Sequence, residues 1–241
     1  MKSDVNNSRF ADISLRTSVV VAGFGLLLMA ILAPIANFGV IEKLIVSGDA
    51  TTTANNIMAS AGLFRIGIVI FLIVAILDVV VAWALYVLLK PVNKSLSLLA
   101  AWFRIVYAAI LAFALSNLLV VLQLLKGDGY LNVFDTNQLY AQTMLFLIAF
   151  TDGWDLGLAI FGLHLVVLGY LAFKSGYIPK ILGILVIVAG FGYTIDSFGK
   201  FLSPSYNFSL AMFTFIGEVL LIFWLLWKSI KGFDKELGIN G

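Results

Sequence analysis

The sequence contains no cysteine and a single histidine, His164. Without cysteine there are no disulfides, no thiolate nucleophiles, and no iron–sulfur or cysteine-ligated zinc sites. One histidine also excludes a metal centre built from several histidines. The sequence therefore predicts neither a metal nor a cofactor. The formal net charge is only +2, which is too small to suggest nucleic acid binding.

Charged residues are scarce as well, at 12% of the chain, whereas 62% of the 241 residues are hydrophobic. A soluble domain is typically about half apolar and about one-quarter charged. Six apolar runs are each long enough to cross a bilayer as a helix: residues 17–36, 64–89, 97–125, 154–173, 179–198 and 208–228. The sequence predicts an all-α polytopic membrane helical bundle of six transmembrane helices, forming one membrane domain over residues 1–241.

Lysine and arginine in the short loops predict the orientation of this bundle, because such residues concentrate on the cytoplasmic side. Three lie on one side, namely Lys43, Lys126 and Lys200. Ten lie on the other, namely Lys2, Arg9, Arg16, Lys90, Lys94, Lys174, Lys180, Lys228, Lys231 and Lys235. We therefore expect a multi-pass protein of the cell membrane with both termini in the cytoplasm.

Two segments on the outer side have helical features. Residues 49–60 begin with a good N-cap residue, Asp49, and contain few helix breakers, which predicts a short helix on the outer surface. Residues 137–150 are also helix-like and mostly apolar. They either extend the fourth span outward or fold back as an interfacial helix, and a plain loop capping the bundle is the alternative for both segments.

Four ionisable residues are predicted near the middle of the bilayer. Counting 1.5 Å per residue from the inner ends places Asp78, His164 and Glu218 at roughly 13–17 Å, and Arg104 at about 10 Å. A charge at this depth costs about 2.5–3.5 kcal/mol even on the mildest scale, so such residues usually face one another or water. Small residues recur on the same helix faces, as in close helix contacts. We therefore predict a buried midplane cluster that serves as a ligand site or proton pathway.

A second group lies near the outer ends of the spans: Arg65, Asp152, Asp155, Asp196 and Tyr193. One arginine against three aspartates predicts a net acidic outer polar cluster that opens to water or attracts a cation or an amine. Pairing of Arg65 with Asp155 or Asp196 that only fixes the packing is the alternative. Asp155 and His164 are nine residues apart, about half a turn around the helix. Either the fourth span is surrounded by protein on both sides, or one of these two residues lies outside the central site.

The midplane charges do not balance in pairs. Arg104 can pair with one of the two carboxylates, Asp78 or Glu218. The other carboxyl must be protonated or must share a proton with His164. Buried ion pairs can also serve only to fix which helices are neighbours, and a single buried histidine is commonly a satisfied core residue.

Five stretches of the chain stand out as motifs: residues 49–57, 85–94, 161–165 and 169–183, and the pair Gly217-Glu218. Together they resemble a family known only as domain-of-unknown-function family 4386. The most specific is Lys-Ser-Gly-Tyr-Ile-Pro-Lys at residues 174–180, preceded by Phe-Gly-Leu-His at 161–164. The resemblance implies a small six-span membrane protein of bacterial type and places Arg65, Arg104, His164 and Glu218 in family-typical motifs. It implies no activity.

Three functions remain open at this point. The first is binding or transport of a small polar or amphipathic ligand through the midplane cluster, in a homo-oligomer if six spans are too few. The second is a structural or regulatory membrane subunit whose charges only fix packing. The third is an intramembrane enzyme acting on a lipophilic substrate, with His164 as acid or base and Asp155 or Glu218 as its partner.

Overall fold

The computed structural model describes residues 14–127 and 129–231, which are helical and contain no strands. The seven longest helices of the described residues are α1 Leu15–Ala36, α2 Ala50–Ala59, α3 Ala61–Leu89, α4 Lys94–Leu124, α5 Thr136–Lys174, α6 Lys180–Leu202 and α7 Ile216–Lys231. A π-helical turn at Asn37–Ile41 and a short turn at Glu42–Leu44 continue α1, and Ala211–Thr214 precedes α7.

Side-chain caps explain where several helices begin. Ser14, Asp49, Asn93 and Asp135 each accept a hydrogen bond from the backbone amide three residues further on. These bonds satisfy amide groups that a helix start otherwise leaves without a partner. After α5, Gly176 has a φ of 78°, a left-handed conformation that glycine adopts without steric cost. The chain can therefore turn sharply there into α6.

Six of the helical segments are long and apolar enough to cross a membrane. Their outward faces carry large apolar side chains such as Phe113, Leu145 and Phe223, which are more than half exposed. An apolar surface of this kind is unfavourable in water and normal in lipid. The predicted all-α bundle with six membrane helices is confirmed, and the chain is an integral membrane protein.

The two outer segments with helical features, residues 49–60 and 137–150, are both helical. Residues 50–59 form α2, capped by Asp49 as predicted. Residues 137–150 belong to α5, which is unbroken over 39 residues, so this segment extends the fourth span. At 1.5 Å per residue α5 is about 58 Å long, nearly twice the thickness of the hydrocarbon core. Its first turns therefore extend beyond the other helices, where α2 packs against it.

The six long helices form a closed ring. Each of α1, α3, α4, α5 and α6 packs against the next long helix along the chain, and α7 packs against both α6 and α1. At one end of the ring, the Tyr177 hydroxyl donates a 2.6 Å hydrogen bond to the Leu88 carbonyl. This bond joins the end of α3 to the loop at residues 175–179. We call this end of the ring, which also holds the loop at residues 90–93, the basic side. The ring encloses a space to which every long helix can contribute.

The tightest contact in the ring is a glycine seam between α5 and α6. Gly162 and Gly169 of α5 face Gly190 and Gly183 of α6, and a Cβ atom on any of them would lie about 2.6 Å or less from backbone or side-chain atoms of the other helix. Small residues let membrane helices approach to backbone contact. The seam therefore holds α5 and α6 together as a closely packed pair.

Gly183→Ala is expected to destabilise the protein by about 1–3 kcal/mol, the usual cost of overpacking. The added methyl group would lie 2.6 Å from the Phe173 backbone nitrogen and 2.7 Å from the Gly169 carbonyl oxygen, so the helices must separate. Unfolding in detergent, followed by circular dichroism, measures this. Gly62→Ala is the matched control, because a Cβ atom at Gly62 meets nothing within 4 Å. Equal stability of the two variants would contradict the close approach.

Candidate ligand-binding site

The centre of the site is a buried ion pair between α3 and α4. Arg104 Nη2 lies 2.7 Å from Asp78 Oδ1, and both side chains are almost fully buried. Ala75 and Ala82 share the face of Asp78 at helical spacing and are buried with it, which lets the two helices pack closely here. Because the two residues carry opposite charges, this pair leaves no net charge in the membrane.

His164 of α5 holds the arginine from a second direction. Its Nε2 lies 3.2 Å from Arg104 Nη1, and its Nδ1 lies 2.8 Å from the Ala100 carbonyl oxygen. A carbonyl oxygen only accepts, so Nδ1 carries the proton and donates it, while Nε2 accepts from the guanidinium. His164 is therefore neutral in this arrangement. Both of its nitrogens are occupied, and it is 1% exposed.

Phe161, one turn before His164, also contacts the arginine side chain. The Arg104 guanidinium carbon lies 5.3 Å from the centroid of the Phe161 ring, a distance typical of a cation–π contact. The guanidinium thus contacts a carboxylate, an imidazole and an aromatic face at once. Such a setting restricts it to one orientation.

Glu218 of α7 approaches the same region from the other side of the ring. Its carboxyl group lies beside the Tyr193 hydroxyl of α6. Its Oε1 atom is buried and has no hydrogen-bond partner among the described residues, and the same is true of Arg104 Nε. One is an acceptor when ionised and the other is a donor. Buried polar atoms without partners are rare in folded proteins.

These groups line one central cavity of about 320 Å³. All six long helices contribute to its wall, including Met29 of α1, Asp78 of α3, Arg104 of α4, Trp154 of α5, Tyr193 of α6 and Glu218 of α7. The volume is at the lower end of the range for small-molecule sites, about 300–1,000 Å³. A small ligand therefore fits in contact with every helix of the ring.

Much of the remaining wall is aromatic. Tyr107, Trp154, Phe161, Tyr193 and Phe215 all line the cavity. The Trp154 indole N–H donates a 3.2 Å hydrogen bond to the Tyr107 hydroxyl, so the polar ends of these two rings are paired. The Tyr107 and Phe161 rings pack with centroids 4.9 Å apart. The cavity thus combines a few polar groups with rigid aromatic faces.

The mouth of the cavity lies between α1 and the start of α7. Of the residues that line the cavity, Ala30, Pro34 and Phe215 are the ones exposed on the surface. Nearer the basic side the two helices are in contact. A Cβ atom added at Gly23 would lie 3.3 Å from the Leu225 side chain. The helices therefore touch at one level and separate at another.

Pro34 lies inside α1 at this mouth. It has no N–H to donate to the Ala30 carbonyl, and proline in a helix interior kinks the helix. The π-helical turn at Asn37–Ile41 follows directly, and such turns are common at functional sites. The irregular part of α1 therefore coincides with the edge of the cavity.

The four residues predicted as a midplane cluster are brought together. Asp78, Arg104 and Glu218 line the cavity, whereas His164 lies behind Arg104 and does not. The hypothesis that His164 shares a proton with a carboxyl is not what the structure shows, since its contacts are Ala100 and Arg104. The same geometry leaves His164 without access to a substrate in the cavity.

The five residues predicted as an outer polar cluster are not brought together. Asp155 pairs with Lys200 at 2.7 Å rather than with Arg65. Arg65 is exposed on α3 and lines a separate cleft with Lys126, and Asp152 is exposed on α5. In the ring α3 and α6 are not neighbours, so Arg65 is on the wrong helix to meet Asp196.

Asp196 of α6 instead organises the start of the last helix. Its Oδ1 accepts hydrogen bonds from the Tyr206 hydroxyl at 2.6 Å and the Leu210 amide at 3.0 Å, and its Oδ2 accepts from the Ala211 amide at 2.7 Å. The hydrogen bond to Asp196 raises the pKa of the Tyr206 hydroxyl to about 12. Asp196 is thus a tertiary cap for the segment that leads into α7 and Glu218.

Asp155 and His164 lie on opposite faces of α5. Asp155 faces α6, where it binds Lys200, and His164 faces α4, where it contacts Ala100 and Arg104. This fits the first of the two predicted alternatives, a fourth span surrounded by protein on both sides. Among the described residues, no group of three or more His, Asp or Glu side chains could hold a metal ion.

Comparison with known proteins gives a family for this architecture. The family model described as Domain of unknown function (DUF4386) matches residues 21–229. The chain belongs to this family. An uncharacterized protein of the archaeon Archaeoglobus fulgidus is 44% identical over 162 residues, which cover 67% of this chain and 82% of the relative. The resemblance predicted from the sequence is therefore confirmed.

The matched region of the family model runs from within α1 to within α7. It contains every residue placed in the cavity wall, from Leu26 to Ile222. The family and its archaeal relative carry no named activity. No solved structure matches this chain. The function of the chain is therefore indicated by the chemistry of its cavity rather than by a relative.

Proposed function

We propose that this membrane protein binds or moves a small polar or amphipathic molecule, which it takes into the cavity enclosed by its six long helices. One observation carries the proposal: two buried polar atoms without partners, Glu218 Oε1 and Arg104 Nε, are offered by residues of the same cavity wall. An unpaired buried polar group costs about 1–3 kcal/mol. A ligand that places a positive charge or a hydrogen-bond donor against Glu218 Oε1 would recover much of that cost, and an acceptor for Arg104 Nε would recover the rest.

The setting of these groups supports binding rather than packing alone. A buried pair that only fixed helix neighbours would need no adjoining space, whereas Asp78 and Arg104 border a cavity of about 320 Å³ with a mouth at α1 and α7. The contacts of His164 and Phe161 with Arg104 hold its guanidinium in place. A binding site requires such groups, since preorganised groups lose less entropy on binding. The remaining wall is aromatic and apolar, as in most small-molecule sites.

We place the protein in the cell membrane with the basic side, at loops 90–93 and 175–179, facing the cytoplasm. The lysines of these loops and of the adjoining helix ends support this, because positive residues in short loops concentrate there. The mouth between Pro34 and Phe215 then lies in the outer half of the membrane.

Filling the cavity should abolish ligand binding without unfolding the protein. Ala33→Phe places a ring inside the cavity wall, so we expect at least a tenfold loss of affinity for the charged benzyl probe benzyltrimethylammonium. Equilibrium binding of the radiolabelled probe to protein in nanodiscs, corrected with empty nanodiscs, measures this. Ala112→Phe is the matched control, because Ala112 is exposed on α4. Equal binding by both variants would overturn the cavity as the site.

A further inference from the structure

The positive and negative charges in the cavity wall do not balance. Asp78 offsets Arg104 at 2.7 Å, and His164 is neutral because its protonated Nδ1 faces a carbonyl oxygen. Glu218 is the remaining carboxyl, and its neighbour Tyr193 is an uncharged phenol. An ionised Glu218 therefore leaves one negative charge in a largely apolar cavity. A ligand with one positive charge would balance it.

The rest of the wall also favours a cation. Aromatic faces attract positive charge through the ring quadrupole, most strongly tryptophan, and Tyr107, Trp154 and Tyr193 line this cavity together. The Ala30 carbonyl at the mouth lacks its helical donor because residue 34 is proline. A carbonyl oxygen only accepts hydrogen bonds. Its partial negative charge suits an ammonium group and repels an anion.

The mouth of the cavity is bordered by lipid-facing side chains. Ile31 and Ile35 beside Pro34, and Phe213 and Ile216 beside Phe215, are each about half exposed or more. A ligand entering here passes between side chains that suit hydrocarbon rather than water. It therefore needs an apolar body in addition to its charge.

We propose that the ligand of this cavity is an amphipathic organic monocation, an amine or quaternary ammonium with an apolar body, and that Glu218 is its counter-ion. This inference rests on the proposed function, because it names the class of molecule that the same cavity takes. Arg104 is excluded as the recognition charge, since Asp78 neutralises it. The carboxylate of Glu218 binds the positive group while the aromatic faces of Tyr107 and Trp154 enclose it.

Cation binding then competes with a proton on Glu218. The groups that face this carboxyl are Tyr193 from α6, Asp78 from α3, and Arg104 and Tyr107 from α4. The lining residues from α1 are apolar. The two tyrosines are phenols, which ionise only at alkaline pH, and Asp78 is held in its ion pair with Arg104. Protonation of Glu218 is therefore the step that removes the negative charge, and the bound cation leaves when it occurs.

Three probes of nearly the same shape separate charge from fit. Benzyltrimethylammonium is a cation, neopentylbenzene is its neutral carbon isostere, and phenylmethanesulfonate is an anion of similar size. Each is measured by equilibrium binding to the full chain in nanodiscs, against empty nanodiscs. We expect the cation to bind at least tenfold more tightly than the neutral isostere, and the anion to bind most weakly.

Glu218→Gln should remove the preference for the cation while leaving binding of neopentylbenzene unchanged, which also shows that the variant is folded. Asp152→Asn, which removes an exposed carboxylate of α5, should behave as wild type. In the wild-type protein, lowering the pH should weaken binding of the cation and leave that of the neutral probe constant.

The outcomes distinguish the two proposals. If none of the three probes binds, the proposed function and this inference both fail. If the probes bind and Ala33→Phe excludes them, but the neutral or anionic probe binds as tightly as the cation, only the inference fails. The inference also fails if Glu218→Gln keeps the preference for the cation.

Discussion

Arg104→Met is expected to lower the free energy of unfolding by about 3–5 kcal/mol, the usual cost of removing one partner of a buried ion pair. Asp78 is 3% exposed and lies 2.7 Å from the guanidinium. Without the arginine its carboxylate would be left in a cavity lined mostly by hydrocarbon, and His164 Nε2 would lose its donor. Unfolding of the purified protein in mixed detergent micelles, followed by circular dichroism, measures the loss.

The double variant Asp78→Asn/Arg104→Met tests the reason for that loss. Because it removes both charges, we expect it to be more stable than Arg104→Met alone. Replacing a whole buried pair is often close to neutral, whereas removing one partner is not. A double variant that is no more stable than the single one would contradict the ion pair as the cause. Volume or shape at Arg104 would then be responsible.

The midplane residues could be predicted from the sequence because depth follows directly from chain position. A rise of 1.5 Å per residue and the high cost of charge in lipid are enough to put Asp78, Arg104 and Glu218 in one layer and facing inward. The phase of each helix is only partly visible in this way. Ala112 shares the face of Arg104 at helical spacing, yet it is exposed.

The outer group could not be resolved by depth alone, because residues at one depth can lie anywhere around the ring. Arg65 and Asp196 have similar depths but lie on α3 and α6, which are not neighbours. Lys200, the real partner of Asp155, appeared to be a loop residue because the apolar run ends at 198, whereas α6 continues to Leu202. A count of apolar residues does not detect a polar helix end, so it places the end of the helix too early.

Tyr193 shows that the direction of a side chain matters as well as the helix face on which it lies. It lies three residues before Asp196 and shares a face with it, which placed it in the outer group. Helix side chains tilt toward the N-terminus of their helix, so the Tyr193 ring extends toward the middle of the membrane. It reaches Glu218 there.

The sequence contains a signal for the aromatic wall of the cavity, which an estimate of depth alone does not detect. Tyr107 lies three residues after Arg104, and Phe161 lies three residues before His164. Residues at this spacing are neighbours on a helix surface, so both rings are carried to the site with the charged residue beside them. What the sequence does not contain is the closure of the ring between α7 and α1, which gives the cavity its sixth wall and its mouth.

Asp196→Ala is expected to destabilise the protein by about 3 kcal/mol, because hydrogen bonds to a charged group contribute about 1.5–3 kcal/mol each and are not fully additive. Asp196 accepts three, two of them from the amides of Leu210 and Ala211. Without the carboxylate these amides lose their partner at the start of the last helix. Amide hydrogen exchange over residues 203–215 should accelerate far more than exchange within α4.

Tyr206→Phe is the matched control, because it removes only one of the three hydrogen bonds and leaves both amide contacts. We expect a smaller loss of stability and nearly unchanged exchange at Leu210 and Ala211. The two variants also separate packing from ligand binding. Asp196 touches the segment that positions Glu218 but does not line the cavity, so Asp196→Ala should weaken binding of all three benzyl probes together. If it removed only the preference for the cation, as Glu218→Gln should, the negative charge that selects the ligand would be that of Asp196.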